Sequence, residues 1–305
     1  MSSDTHAPEW SKKYTLDPTL FKPTPEESAF LKTQTGIQDD NELREHVLAV
    51  QKEAWKVFPY PCIRLFTFTR LGLKINPRYK DLLKMGRERP GAIYLDMGCC
   101  FGNDARKAVA DGFPVENVIC SDLEPGFWNL GHKLFKSTQE TFPVTFIGGS
   151  IYDTNVIEPS APVYSPPSTP RPNLKTLTSL NPLHGHISAI HTASFFHLFN
   201  EAEQATAARA LASLLSPEPG SIIFGHHIGN EVAGQRASAN SRGQYKYDHS
   251  PESWKELWDG GVFEKGKVEV WCILHELTGS GIDMKSIFNN DSKVSILIVW
   301  SVKRL

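Results

Sequence analysis

Two rhythms of apolar residues divide the chain. Before residue 90 the spacing is helical. Thr24-Pro25-Glu26-Glu27 reads as a helix start, with threonine as N-cap, proline at the first helical position and glutamate at the third, and Gly36 supplies a stop. A second helix is predicted from Asp39 or Asp40, because Leu43, Val47, Val50, Ala54 and Val57 form a single stripe that must pack on something. Pro59-Tyr60-Pro61 ends it. This N-terminal extension, residues 1–90, is expected either to cover one edge of the main domain or to act as a cap over a substrate.

From Ala92 onward short apolar runs alternate with amphipathic stretches. Strands are predicted near 92–97, 117–121, 144–148, 187–192, 220–226, 267–275 and 293–302. Seven strands separated by helices imply an α/β, Rossmann-like domain over 91–305, with a mostly parallel sheet and helices on both faces. Only Gly279-Ser280-Gly281 and a polar stretch separate the last two strands, so these are expected to form an antiparallel pair at the sheet edge. Asn200 to Ser216 reads as a helix with Asn200 as N-cap and Glu203 at the third position. Residues 159–173 hold six prolines and no apolar period, and are expected to form a mobile surface insertion.

The most informative chemistry lies in Ile93-Tyr94-Leu95-Asp96-Met97-Gly98-Cys99-Cys100-Phe101-Gly102-Asn103-Asp104. A buried strand ends in an acid and runs into a turn where Gly98 and Gly102 let the backbone bend tightly and approach a ligand, with a helix opening near Asn103 or Asp104. A second acid, Asp122, ends the next apolar run, where a carboxylate can accept from both hydroxyls of a ribose. A nicotinamide site is the competing reading. It requires Gly-x-Gly-x-x-Gly against a pyrophosphate, whereas Cys100 stands where the middle glycine would fall and Asp96 would repel the phosphates. An acid before the first glycine suits the α-ammonium of S-adenosylmethionine, or water bound to it.

Composition narrows the partners. With 40% apolar residues among 305 the chain can bury a substantial core, and a net charge of −2 provides no field to gather nucleic acid. The first residues lack the basic and apolar regions of a signal peptide, and there is no apolar run of about 18 residues, so a soluble, cytoplasmic protein without a membrane partner is expected. Five scattered cysteines indicate neither a disulfide framework nor a zinc site, and no metal is expected.

Leu95-Asp96-Met97-Gly98-Cys99, Ser121-Asp122-Leu123, Tyr60-Pro61-Cys62-Ile63, Ser194-Phe195-Phe196-His197-Leu198-Phe199 and Leu214 to Ser221 together carry a family resemblance. From Ala92 to the end, the chain resembles class I S-adenosylmethionine-dependent methyltransferases. More narrowly, it is similar to fungal small-molecule methyltransferases of secondary metabolism, including those of meroterpenoid pathways. The resemblance implies that S-adenosylmethionine is the cofactor and S-adenosylhomocysteine the product. It places Asp96, Gly98, Cys99 and Gly102 around the methionine part, Asp122 on the ribose, Leu123 against adenine, and Tyr152 and Asp153 near the adenine edge. Cys100 departs from the glycine common at the third position of the turn.

Methyl transfer is an in-line displacement, so the protein must align the acceptor and supply a lone pair. The fourth strand ends Ile190-His191-Thr192-Ala193-Ser194 without a carboxylate, which favours a metal-independent O-methyltransferase acting on a small phenolic or carboxylic metabolite. Nitrogen or carbon acceptors, and a binding protein that performs no transfer, are the alternatives. A phenol, about 0.1% ionised at pH 7, profits from a base; a carboxylate needs none. His191, His197 and His227 are the candidate bases, with His226 beside them, and His227 leads because it opens the glycine-rich loop 229–243. Arg236 and Arg242 in that loop are candidates to pair with an acceptor carboxylate. Ser250-Pro251-Glu252-Ser253 starts a helix that presents Trp254, Leu257 and Trp258 on one face, as pocket wall or core. Oligomeric state is not legible.

Overall fold

A computed structural model describes residues 15–239, 245–276 and 296–305. Four N-terminal helices, α1 (Pro25–Thr35), α2 (Asp40–Val57), α3 (Pro61–Arg64) and α4 (Tyr79–Glu88), precede the first strand. The start of α1 is the expected capping box. Thr24 Oγ1 accepts from the Glu27 amide at 3.2 Å, Glu27 Oε2 accepts from the Thr24 amide at 2.7 Å, and Gly36 closes the helix in the left-handed region at φ 75°.

The main domain alternates β1 (Tyr94–Met97), α5 (Asn103–Ala110), β2 (Val118–Asp122), α6 (Pro125–Leu134), β3 (Thr145–Gly148), β4 (Ala189–Ala193), α7 (Glu201–Leu214) and β5 (Ile222–Gly229). After β5 come β6 (Gly234–Ala239), β7 (Tyr245–Asp248), α8 (Pro251–Trp258), β8 (Val268–Glu276) and β9 (Ile296–Arg304). Seven strands form one sheet in the order β3-β2-β1-β4-β5-β9-β8. The first five are parallel, while β9 runs antiparallel to both β5 and β8, as expected for the terminal pair. The Gly279–Gly281 stretch lies outside the described residues. Strands β6 and β7 pair separately as an antiparallel hairpin, where a loop over 229–243 was expected. Gly234-Gln235-Arg236-Ala237-Ser238-Ala239 has no β-branched or aromatic residue to announce a strand.

Side chains alternate across the sheet. Leu95, Met97, Ile119, Ile190 and Ile223 share a core with α7 and α8, whereas Tyr94, Cys120, Ala189 and Phe224 share one with α4 and α5. A third core joins the stripe of α2 to Phe101 in the glycine turn and to Phe127 and Leu134 of α6. Helices α1, α2 and α3 therefore pack on the α6 side of the turn, while α4 packs with α5. The proline-rich insertion is on the surface, yet it is anchored: Arg171 donates to the Gly91 carbonyl (3.1 Å) and Asn117 Oδ1 (2.7 Å), Tyr164 Oη accepts from the Glu264 amide (2.7 Å), and Arg304 lies 5.1 Å over the Tyr164 ring. Among the described residues, no helix is long and apolar enough to cross a membrane.

Candidate functional site

The turn after β1 is built on two acids and two left-handed glycines. The Ser121 carbonyl accepts from the amides of Gly98 (2.8 Å) and Cys99 (3.1 Å), tying the turn to β2. Gly98 and Gly102 have φ of 73° and 69°, and a Cβ would stand 3.0 Å from the Phe195 ring at the first and 2.7 Å from Trp128 at the second. Both positions thus need glycine for conformation and for space. Cys100 is also left-handed, at φ 51°. Its amide donates to Asp122 Oδ2 at 2.8 Å, and its thiol touches that of Cys62, so the strain of this non-glycine residue is offset on both sides.

Asp122 is held at both oxygens, Oδ1 accepting from the Glu124 amide at 2.9 Å. Burial pushes its carboxyl up to about 6; the two amide bonds oppose this, and the charges of Glu124 and Asp96 reinforce it. Leu123 beside it is 54% exposed, a large apolar side chain open at the strand end. Tyr152 donates its hydroxyl to the Glu203 carbonyl at 3.1 Å, and Asp153 is exposed and caps its own loop through Asn155.

Asp96 is buried on the opposite side of the turn. One oxygen is 3.1 Å from His191 Nδ1, while Oδ2 is closed to water and has no partner. A buried carboxylate oxygen left unbonded is costly, and a ligand ammonium would satisfy it. The glycine cradle, this orphaned oxygen and the carboxylate at the end of β2 fit the methionine and ribose parts of S-adenosylmethionine.

The other candidates separate in space. His227 lies in an aromatic cluster, where Nδ1 accepts from Trp300 Nε1 at 2.9 Å and the ring stands edge-on to Trp254 at 4.6 Å. Trp254 and Trp258 are fully buried in the same cluster with Phe196, so their helical face is core. His197 is half-buried with Nδ1 unpartnered, and its pKa is pushed well down by burial and by the charges of Arg236 and Lys246. Arg236, on β6, makes a two-pronged pair with Asp248, with Nε 2.9 Å from Oδ2. Arg242 lies outside the described residues. The hairpin is docked by the Tyr247 amide, which donates to the Phe199 carbonyl at 3.2 Å, and this brings the Arg236 charge within reach of His197.

Comparison with known proteins fits this geometry. The sequence profile of the meroterpenoid methyltransferase N-terminal domain matches residues 14–69. O-methyltransferase phiE of a fungal species is 33% identical over 251 residues, spanning 80% of this chain and 75% of the relative. The Asnovolin E/Chermesin D methyltransferase nvfJ of Aspergillus novofumigatus is 33% identical over 234 residues, spanning 75% of each. This chain is a class I S-adenosylmethionine-dependent methyltransferase related to those of fungal secondary metabolism. A solved S-adenosylmethionine-dependent methyltransferase from Mesorhizobium loti is 14% identical, with a TM-score of 0.43, covering 76% of this chain and 100% of that one.

Three residues around the candidate site escape sequence reasoning. Phe195 lies against Gly98 because Ser194 adopts a left-handed φ of 52°. Tyr60 packs at a tilt on Phe58 (4.3 Å) and approaches Phe127 (5.8 Å); its phenol is pushed up by burial and by the charge of Asp122, so the N-terminal helices come close to that acid. Lys246 on β7 is half-buried, and burial together with the Arg236 charge lowers its pKa to about 8 against the opposing pull of Asp248. The Phe195 position is flagged by the Ser-Phe-Phe-His phrase alone; the other two depend on packing between distant segments.

Proposed function

We propose that the protein transfers the methyl group of S-adenosylmethionine to an oxygen of a small carboxylic acid, with a phenol as the second choice of acceptor. When bound, the cofactor supplies an electrophilic methyl group on a sulfonium. Asp96 binds the methionine ammonium, Asp122 accepts from the ribose, and Leu123 covers the adenine. The observation that carries the acceptor class is the half-buried cationic pair Arg236 and Lys246, set among the described residues beside the carboxylate of Asp248. A net positive charge there favours an anionic acceptor.

The state of the histidines supports the same choice. Burial pushes His197, His226 and His227 down, to about 3 for His226, so all three are neutral and weakly basic near pH 7. A phenol would need a stronger base, whereas a carboxylate already carries its lone pair and negative charge. No metal enters this reaction. The family match over residues 14–69 supports an acceptor of the meroterpenoid type.

Transfer of labelled methyl from S-adenosylmethionine to a panel of carboxylic acids, their preformed methyl esters and phenols, with and without chelator, tests the proposal. Label in acids alone, insensitive to chelator, is expected. Transfer confined to phenols would overturn the carboxylate reading, and binding of NADH in place of S-adenosylhomocysteine would overturn the cofactor.

A further inference from the structure

We propose that His191 is a positioning residue for the cofactor acid, holding Asp96 fixed in direction so that its second oxygen meets the α-ammonium of the methionine part. The inference rests on the cofactor reading above and moves His191 out of the set of candidate bases. Asp96 and His191 are register partners on the adjacent parallel strands β1 and β4, so both side chains leave the same face of the sheet side by side. Nδ1 stands 3.1 Å from Oδ1, with His191 fully buried and Asp96 2% exposed.

The surroundings explain why a histidine is useful there. Asp104 of α5 accepts from the Leu73 amide at 3.1 Å on the same side, and the Cα of Gly72 wedges between Asp104 and His226, where a Cβ would lie 3.0 Å from each. The Tyr94 hydroxyl and the His226 Nδ1 on that face have no partners. Two carboxylates in one dry compartment cannot both ionise without a cation or strong donor between them. Arg106 and Lys107 flank Asp104 on α5, yet Arg106 is turned onto Phe135 and Phe142, and Lys107 pairs with Asp111. That leaves His191. Burial opposes its protonation, but the Asp96 hydrogen bond and the charges of Asp96 and Asp104 raise its pKa overall. With Nδ1 committed to Asp96 and the ring sealed, His191 acts through the carboxylate and not on the acceptor.

Calorimetry on the full chain with S-adenosylhomocysteine and 5′-methylthioadenosine separates this role from a structural one, because the second ligand keeps the adenosine and lacks the amino acid. His191→Phe is expected to weaken S-adenosylhomocysteine roughly 10- to 100-fold, the size of a lost charge-assisted hydrogen bond, and to leave 5′-methylthioadenosine unchanged. His191→Asn, whose amide nitrogen stands the same number of bonds from Cβ as Nδ1 and can donate to Asp96, should recover most of the loss. If the phenylalanine variant does not fold, His191→Leu, which cannot donate, takes its place against asparagine. Equal weakening of both ligands, or undiminished S-adenosylhomocysteine affinity, overturns the positioning role while leaving the cofactor assignment intact. Binding of neither ligand by the unmodified protein would overturn the cofactor reading as well.

Discussion

Adjacent residues on β5, His226 and His227, enter opposite faces of the sheet and meet different worlds. His226 joins Asp96, His191 and Asp104 in a polar compartment beneath the cofactor turn, where many of the bonds are unmade. His227 joins Trp254, Trp258, Trp300 and Phe196 in an aromatic block and accepts one hydrogen bond from Trp300. Burial depresses both imidazoles, so exposure alone does not tell a binding face from a packing face. Unpartnered groups lie on both sides, His227 Nε2 and the Trp254 and Trp258 indoles on one and Asp96 Oδ2 and the Tyr94 hydroxyl on the other; the difference is that only the second side holds carboxylates.

The comparison breaks most sharply at Trp254. Its truncation to alanine should cost about 3–5 kcal/mol of stability in urea unfolding. An unchanged unfolding midpoint with lost acceptor affinity would make the aromatic face a pocket after all. On the polar side, Asp122→Ala should weaken S-adenosylhomocysteine about 10- to 100-fold by calorimetry, since a charged acceptor is removed; undiminished affinity would remove the ribose assignment. His227→Leu should cost about 1–3 kcal/mol, because Trp300 Nε1 loses its acceptor, with turnover per folded molecule preserved. Retained stability with abolished turnover would restore His227 as a base. The smallest expected effect is a pH profile. Lys246 is cationic below its pKa of about 8 and neutral above it, so kcat/KM for a carboxylic acid should decline as pH rises from 7 to 9. In Lys246→Arg that decline should vanish.

Legibility in the sequence follows how far apart interacting residues stand. The strand, acid and glycine turn of 93–104 is a local pattern, as are the capping boxes at Thr24 and Asn200, and all of these form as the residues predict. The β6–β7 hairpin escapes because its strands lack β-branched residues and its register shifts between Gln235 and Ala239. Residues 159–173 read as a loose loop since the anchors Asn117, Gly91, Glu264 and Arg304 stand 54 to 141 positions from the residues they hold. Trp254 and Trp258 show one apolar helical face, and such a face looks the same whether a substrate or a neighbouring strand covers it. The Asp96 and His191 pairing needs the strand order, which places β4 beside β1 across α5, β2, α6 and β3.

The third core, joining α2 to Phe101, Phe127 and Leu134, has a consequence for how the chain is made. On the ribosome, α2 emerges well before α6, and at about 5–20 residues per second its partner follows only after roughly 4–15 s. Through that interval Leu43, Val47, Val50 and Ala54 have the α1 and 63–71 part of their core but lack the α6 part that completes it. The nascent methyltransferase is therefore a client for chaperones until α6 appears, and its soluble yield should respond to translation speed over residues 58–134 more than to speed anywhere later.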